Sequence, residues 1–479
     1  MGVSTKKKTG VVKNYIYNLS YQIMAIIVPL ITTPYVSRVL LAEGVGTYSY
    51  TYTIAYAFSL IAGLGINTFG QIQIAYRQDN KYERSTVFFE LCIVRTIATM
   101  IAGAIYIIFS FIYKKYIYYL LLQFFVILSV LFDISWYFRG VEKFKIVVFR
   151  NIIIKVISTV CIFVFVKTVN DVDRYVFINS ASVLISNMSM ILCLRGEIQV
   201  VKLRDIHPKR QVRGTLEFFV PVIATQIYSH LDRIMLGALT NNTAESGYYE
   251  QARKIAYMMT TIISSLNGVL LSKVSNLYIR GEKEKVIGYY KNSFKYIMII
   301  LLPMVLGLIA ISKNFTGWFF GNGYSKVAIL LALSAPLVLL MAIGNFVAVQ
   351  FLSPMGMQNQ MTKIYIIAAL MNIVLNLLLI PQFLSIGALV ASLVAELYSC
   401  LAQVRLLKRS EYNFPMMKGV WRYFVCAVIM AAVVLAIESI LPIKGILKTI
   451  MEVGVGAAVY FILLLAVGGL KDFKLIKNK

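Results

Sequence analysis

The stretch NYIYNLSYQIMAIIVPLITTPYVSRVL (Asn14–Leu40) runs directly into LAEGVGTYSYTYTIAY (Leu41–Tyr56). The first part is longer than the roughly 20 apolar residues that cross a bilayer core as a helix. The basic lead from Met1 to Lys13 resembles the start of a signal peptide. The apolar run behind it is too long for one, has no small-residue cleavage site and is followed by further apolar runs. It reads as an uncleaved first membrane helix.

The same reading extends along all 479 residues, of which 59% are hydrophobic and 14% charged, with a mean hydropathy of +0.76. A soluble domain carries about a quarter charged residues, and this chain has more apolar surface than one core can bury. Spanning helices satisfy their own backbone hydrogen bonds in lipid. Apolar windows place spans near 14–40, 46–72, 85–112, 116–138, 146–167 and 174–195. After a basic loop they continue at 213–238, 250–273, 291–312, 326–351, 362–380, 384–405, 419–441 and 446–469. The fold class expected is an all-α integral membrane protein of about 14 transmembrane helices.

Charge fixes the expected orientation. The net charge of +26 would suggest nucleic acid in a soluble protein, but Lys and Arg accumulate in cytoplasmic loops of any many-span chain. Here they gather at Lys6–Lys8, Arg77/Lys81/Arg84, Arg139/Lys143/Lys145, 195–213, 273–295, Lys408/Arg409 and the tail Lys471–Lys479. These alternate gaps, and with them both termini, are expected to be cytoplasmic. Nucleic acid is not an expected partner.

Two echoes organise the spans. Gly46-Thr47-Tyr48 with Ile54-Ala55 recurs as Gly247-Tyr248-Tyr249 with Ile255-Ala256, and Ser180-Ala181-Ser182-Val183 recurs as Val390-Ala391-Ser392-Leu393. Both join a span to the one six later, so the repeat unit has six helices and the halves share one orientation. The expectation is two six-helix lobes related by pseudo-two-fold symmetry plus two C-terminal helices. The boundaries are 1–195 for the N-lobe, 196–213 for an inter-lobe loop, 214–405 for the C-lobe, and 406–479 for the last two spans with a basic tail. Cargo would be expected between the lobes at mid-bilayer depth.

Charges inside spans are costly and normally face protein or water. Arg95 and Lys155 lie about ten residues, roughly 15 Å, from the cytoplasmic ends of their helices. Arg38 and Arg233 join them as cations nearer the outer interface. Asp133, Glu396, Glu90 and Asp232 are the acids that would carry a coupling proton or balance charge. Antiparallel packing would bring Asp133 towards Glu90 or Arg95, and Glu396 sits mid-span without a local partner. Structural ion pairs that hold the lobes together would explain such charges as well. Pro29 and Pro34, with Gly44 and Gly46 just after, have the composition of a gate hinge. The Tyr48, Tyr50, Tyr52 and Tyr56 run suits an interfacial belt or sugar stacking, and Asn372 with Asn376 suits helix packing or sugar recognition.

No catalytic motif, phosphate loop or metal-ligand spacing is found, and outward loops are short. The five cysteines form no C-x-x-C pair, and two histidines are too few for a His-based metal cluster. The chain is expected to be neither an enzyme nor an ATP-driven pump, and no cofactor or metal is expected.

Three blocks carry a family resemblance: Asn14–Tyr56, WYFRGVEKFKIVVFRNIIIKVIS at Trp136–Ser158 and LDRIMLGALTNNTAESGYYEQARKI at Leu231–Ile255. They resemble bacterial polysaccharide repeat-unit (Wzx-type, lipid-linked oligosaccharide) flippases of the multidrug/oligosaccharidyl-lipid/polysaccharide exporter superfamily. The resemblance implies alternating access and a cargo of undecaprenyl-diphosphate-linked oligosaccharide crossing the bacterial cytoplasmic membrane for capsule, O-antigen or teichoic-type polymers. It implies a monomer beside a polysaccharide polymerase and glycosyltransferases. It also casts Arg38, Arg95, Lys155 and Arg233 as cavity cations for the diphosphate. The alternatives are a multidrug/cation antiporter of the same superfamily, which would favour acids over bases in its cavity, and a lipid II flippase.

Overall fold

A computed structural model describes residues 3–469 apart from 241, 280, 281 and 417. The side chains of 3–19, 21, 224, 225, 227–229 and 262–279 are outside that description. The side chains of the basic lead Lys6–Lys8, and the whole of the tail Lys471–Lys479, therefore lie outside the described residues.

The described chain is all helical. The helices are α1 (Val3–Gly63), α2 (Ile66–Tyr76), α3 (Lys81–Ile112), α4 (Ile117–Leu131), α5 (Ser135–Gly140), α6 (Phe144–Phe165) and α7 (Val172–Ser189). They continue as α8 (Lys209–Thr240), α9 (Thr243–Ile279), α10 (Lys283–Phe319), α11 (Ser325–Val347), α12 (Gln358–Arg409), α13 (Val420–Ile440) and α14 (Ile446–Ala466). Ten stretches are long and apolar enough to cross a membrane among the described residues. Two of them, of 55 and 52 residues, are far longer than one crossing needs, and each contains a sharp break. The breaks are at Leu41 (φ 56°) in α1 and Leu384 (φ 55°) in α12. The helix continues through Pro29 and Pro34 and breaks only at Leu41.

The chain divides into two compact units, residues 1–234 and 235–479, with the division inside α8. In the first, α1 packs against α3, α4, α6 and α7, while α2 packs on α5 and α3. Its apolar core includes Phe88, Trp136, Tyr137 and Phe138, all buried, with the Phe88 and Trp136 rings stacked 5.6 Å apart. At Gly65 (φ +71°) the chain turns into α2 so close to α8 that a Cβ would stand 2.7 Å from the Thr215 carbonyl oxygen. Only glycine meets both demands.

One expected span, 116–138, is broken into α4 and α5 by a polar knot at Asp133. Its carboxylate accepts from the Ser135 N–H and from Asn67 Nδ2, both at 3.0 Å. Its backbone carbonyl accepts from Trp136 Nε1 at 3.0 Å and from Arg95, whose Nη2 reaches Asn67 Oδ1 at 2.8 Å. Arg95 is 2% exposed, and its guanidinium lies 5.9 Å from the Trp136 ring centre. A charge taken from water must be surrounded in this way, and the carbonyl it occupies is lost to the helix ladder.

The basic end of this unit is laced to the segment before α8. Glu90, 3% exposed, accepts from the His207 N–H at 2.7 Å and from Gln211 Nε2 at 2.6 Å. Glu197 pairs with Lys143, and its carbonyl accepts from Arg84 and Tyr137. At the opposite end Asp171 closes the α6–α7 turn. The Lys167 and Thr168 N–H groups both donate to it and hold its carboxyl below the usual carboxylate range.

In the second unit, α10 packs against α9, α11, α13 and α14, and α11 against α9 and α12. After Leu384 the α12 chain turns back so closely that a Cβ on Gly387 would overlap the Leu379 carbonyl. Buried Glu245 anchors this turn, accepting from Ser385 Oγ at 2.6 Å and from Lys326 Nζ at 2.7 Å. Asn372 and Asn376 are buried and bonded to each other at 3.0 Å, which accounts for their shared face by packing.

Two stability tests follow. Arg95→Ala leaves the Asp133–Asn67 knot without its cation and is expected to cost about 3 kcal/mol, read as a lower melting temperature in detergent. Gly387→Ala is expected to cost about 1–3 kcal/mol through overpacking. Gly454→Ala, where a Cβ meets nothing within 4 Å, should stay within about 0.5 kcal/mol. Equal melting temperatures for the two glycine variants would contradict the close turn.

Candidate functional site

The first unit contains a polar cavity of about 360 Å³ among apolar helices, within the range of small-molecule sites. It is built by both arms of α1 and by α6 and α7. Met24 and Pro29 come from before the Leu41 break, and Tyr48 and Tyr52 from after it. Residues on either side of the break can share one cavity only if the chain folds back there. Leu41 therefore marks the turn between the first two expected spans, 14–40 and 46–72.

Two cations line the cavity, Arg150 and Lys155 on α6. Arg150 is held in place by α7 and by its neighbour. Nη1 donates to the Ser186 carbonyl at 3.0 Å and to Asn187 Oδ1 at 3.2 Å, and Nη2 donates to Asn151 Oδ1 at 2.6 Å. Lys155 sits on an exposed position of the next turns of α6, with its backbone carbonyl accepting from Ser158 Oγ at 2.9 Å. Asn151, Asn179 and Asn187 add amides to the wall, while Ser158, Ser182 and Ser186 add hydroxyls. A guanidinium, an ammonium, amides and hydroxyls give this wall positive charge and polar atoms, a chemistry that suits phosphate and sugar hydroxyls.

An aromatic ladder leaves the cavity along α1. Tyr48 and Tyr52 stack at 5.6 Å and 18°, and Tyr52 and Tyr56 at 6.0 Å and 22°. Tyr56 meets the His230 ring at 4.7 Å, and Arg233 donates to His230 Nδ1 at 2.8 Å. The spacing of four residues puts these tyrosines on one helix face. Tyr50, two positions out of phase, turns instead to Tyr113 and Tyr116 and joins the core.

The residues singled out from the sequence therefore separate. Lys155 and Pro29 meet in the cavity, and Arg233 stands at the far end of its aromatic ladder. Arg95 and Asp133 come together in the knot, as antiparallel packing suggested, and Glu90 is used by the loop before α8 and by the first turn of α8. Arg38 is exposed, Pro34 is half-buried within α1, and Asp232 is buried on α8. Glu396 lies in the second unit, half-buried, with Oε1 3.5 Å from where a Gly344 Cβ would stand. Sequence reading missed Arg150. It lies near the start of its helix, where a cation looks like a topology signal, and only its contacts across to α7 reveal it.

Comparison with known proteins agrees with this architecture. Residues 11–272 match the family described as polysaccharide biosynthesis protein. A putative O-antigen transporter of Escherichia coli is 22% identical over 394 residues, 81% of this chain and 94% of that one. A probable flippase, AglR, of Haloferax volcanii is 26% identical over half of each chain. The solved structure of the lipid II flippase MurJ in an inward closed conformation superposes with a TM-score of 0.73, covering 96% of this chain and 99% of that one at 15% identity. This chain belongs to the polysaccharide biosynthesis protein family and is a multi-pass membrane flippase of that family.

Proposed function

We propose that the chain carries an undecaprenyl-diphosphate-linked oligosaccharide across the cytoplasmic membrane by alternating access, as a transporter rather than an enzyme. The observation that carries this reading is the polar cavity beside α6, with Arg150 and Lys155 on its wall and the Tyr48–Tyr52 stack opening from it. The two cations meet the diphosphate, Lys155 through its ammonium and Arg150 as a fixed positive charge beside it. Amides and hydroxyls meet the first sugar, and the tyrosine faces stack on it. The similarity to a putative O-antigen transporter supports a surface polysaccharide as the destination.

In this reading the chain crosses the membrane fourteen times with both termini in the cytoplasm. It works as a single copy beside a polysaccharide polymerase and the glycosyltransferases that build the repeat unit. A multidrug exporter for cations is disfavoured because cations line the cavity. Lipid II carries a diphosphate too, and the fold shared with MurJ leaves it as the second reading. The sugar-facing residues Asn151, Asn179 and Tyr52 would then decide which glycan is accepted.

Lys155→Ala removes one charge-assisted contact to phosphate, worth about 1.5–3 kcal/mol. Export of surface polymer in complemented cells is expected to fall about tenfold or more, with unchanged protein in the membrane. Full export in Lys155→Ala and in Arg150→Lys together would overturn the proposal. Reporter fusions should find the loops at Arg77–Arg84 and Arg139–Lys145 on the cytoplasmic side; finding either outside would reverse the orientation.

A further inference from the structure

We infer that an apolar groove between α6 and α7 holds the polyprenyl chain of the cargo, with Arg150 at the joint where that chain meets its diphosphate. The inference rests on the cargo class proposed above and adds where its lipid part lies.

The polar cavity does not end at Arg150. The same Arg150, and Ile154 one turn on, also line a second hollow of about 630 Å³ between α6 and the end of α7. Its other walls are Ile146, Phe149, Ile153 and Met190, with Lys145 at one edge. The polar cavity and this apolar groove thus share part of one wall, Arg150 and Ile154, and the first of these is a cation. Phe149 and Ile153 are 56% and 48% exposed, so the groove is open towards the apolar surroundings of the helix. Ordinary lipid-facing helix surface, such as the far side of α3, is also apolar, but the cavity's arginine is not part of its wall. An amphiphile that fits both compartments has a polar head, an anionic joint and an apolar chain, in that order.

The geometry also gives a direction. Arg150 stands about 9 Å from the start of α6, and Lys155 about 16 Å. The groove occupies the first turns of α6, beside the basic loops, and the polar cavity lies further along the helix. A lipid already in the leaflet next to the basic loops would slide its chain into the groove and turn its head inward past Arg150. The guanidinium is fixed for that role by its bonds to Ser186 and Asn187 on α7, the other wall of the passage.

The test uses the full chain in lipid nanodiscs and two probes that share a head but differ in chain, undecaprenyl diphosphate and geranyl diphosphate. Wild type should bind the long-chain probe at least about tenfold more tightly. Ile153→Trp fills the groove and should reduce that advantage to less than about threefold while geranyl diphosphate still binds as in wild type, which also shows that the variant is folded. A second readout needs no mutation. Cys193 is exposed and lines the groove, so undecaprenyl diphosphate should slow its alkylation by a maleimide at least about threefold, and geranyl diphosphate should not. An undiminished long-chain advantage in Ile153→Trp, or an alkylation rate at Cys193 indifferent to the long-chain probe, would overturn the groove. Failure of wild type to bind geranyl diphosphate would instead remove the anionic-headgroup reading on which the groove depends.

Discussion

An ionised side chain within the hydrocarbon of a bilayer must be surrounded by partners or reach water, because nothing in the lipid can solvate it. That constraint divides the cations of this chain into three kinds. The many Lys and Arg of the connecting loops stay at the surface and set orientation. Arg95 is enclosed, with the Asp133 carbonyl and Asn67 accepting from its two Nη groups and the Trp136 ring beside it. Arg150 and Lys155 face a cavity. These two keep their charge on the wall of a cavity that α1, α6 and α7 build in an apolar unit.

The backbone obeys a parallel constraint. Every amide in lipid needs a partner, so departures from helix are short and each is supported locally. The break at Asp133 is covered by Ser135, Trp136 and Arg95 donors, and the turn after Leu384 by Glu245. At Leu41 a single residue with positive φ folds α1 back on itself, which places Pro29 and Tyr52 on one cavity. Within the first unit the Leu41 break is thus the fixed point that brings both arms of α1 to the cavity.

Much of this was legible from the sequence. Apolar length announced the helices, and depth within span five singled out Lys155. The Tyr48, Tyr50, Tyr52 and Tyr56 run announced an aromatic belt or stacking surface, from which the structure withdraws Tyr50 into the core. Antiparallel packing put Asp133 near Glu90 or Arg95, of which the structure gives Arg95. What stayed hidden depends on contacts far apart in the chain. Glu90 is engaged by His207 and Gln211, more than a hundred residues later, so no local pattern tells its role from that of a coupling acid. Arg150 sits close enough to a helix start to pass for a loop charge. Pro29 and Pro34 both lie inside the continuous first arm of α1, since neighbouring helices can accommodate the backbone group each one frees.

The central claim is that an anionic lipid headgroup rests against Arg150 and Lys155 between α1, α6 and α7. The most direct measurement is a cryo-electron microscopy map of the protein in nanodiscs loaded with undecaprenyl diphosphate. The account predicts phosphate density within hydrogen-bond reach of both side chains, with the first isoprene units leading past Ile154. A headgroup resolved elsewhere, with this cavity holding only water, would contradict it.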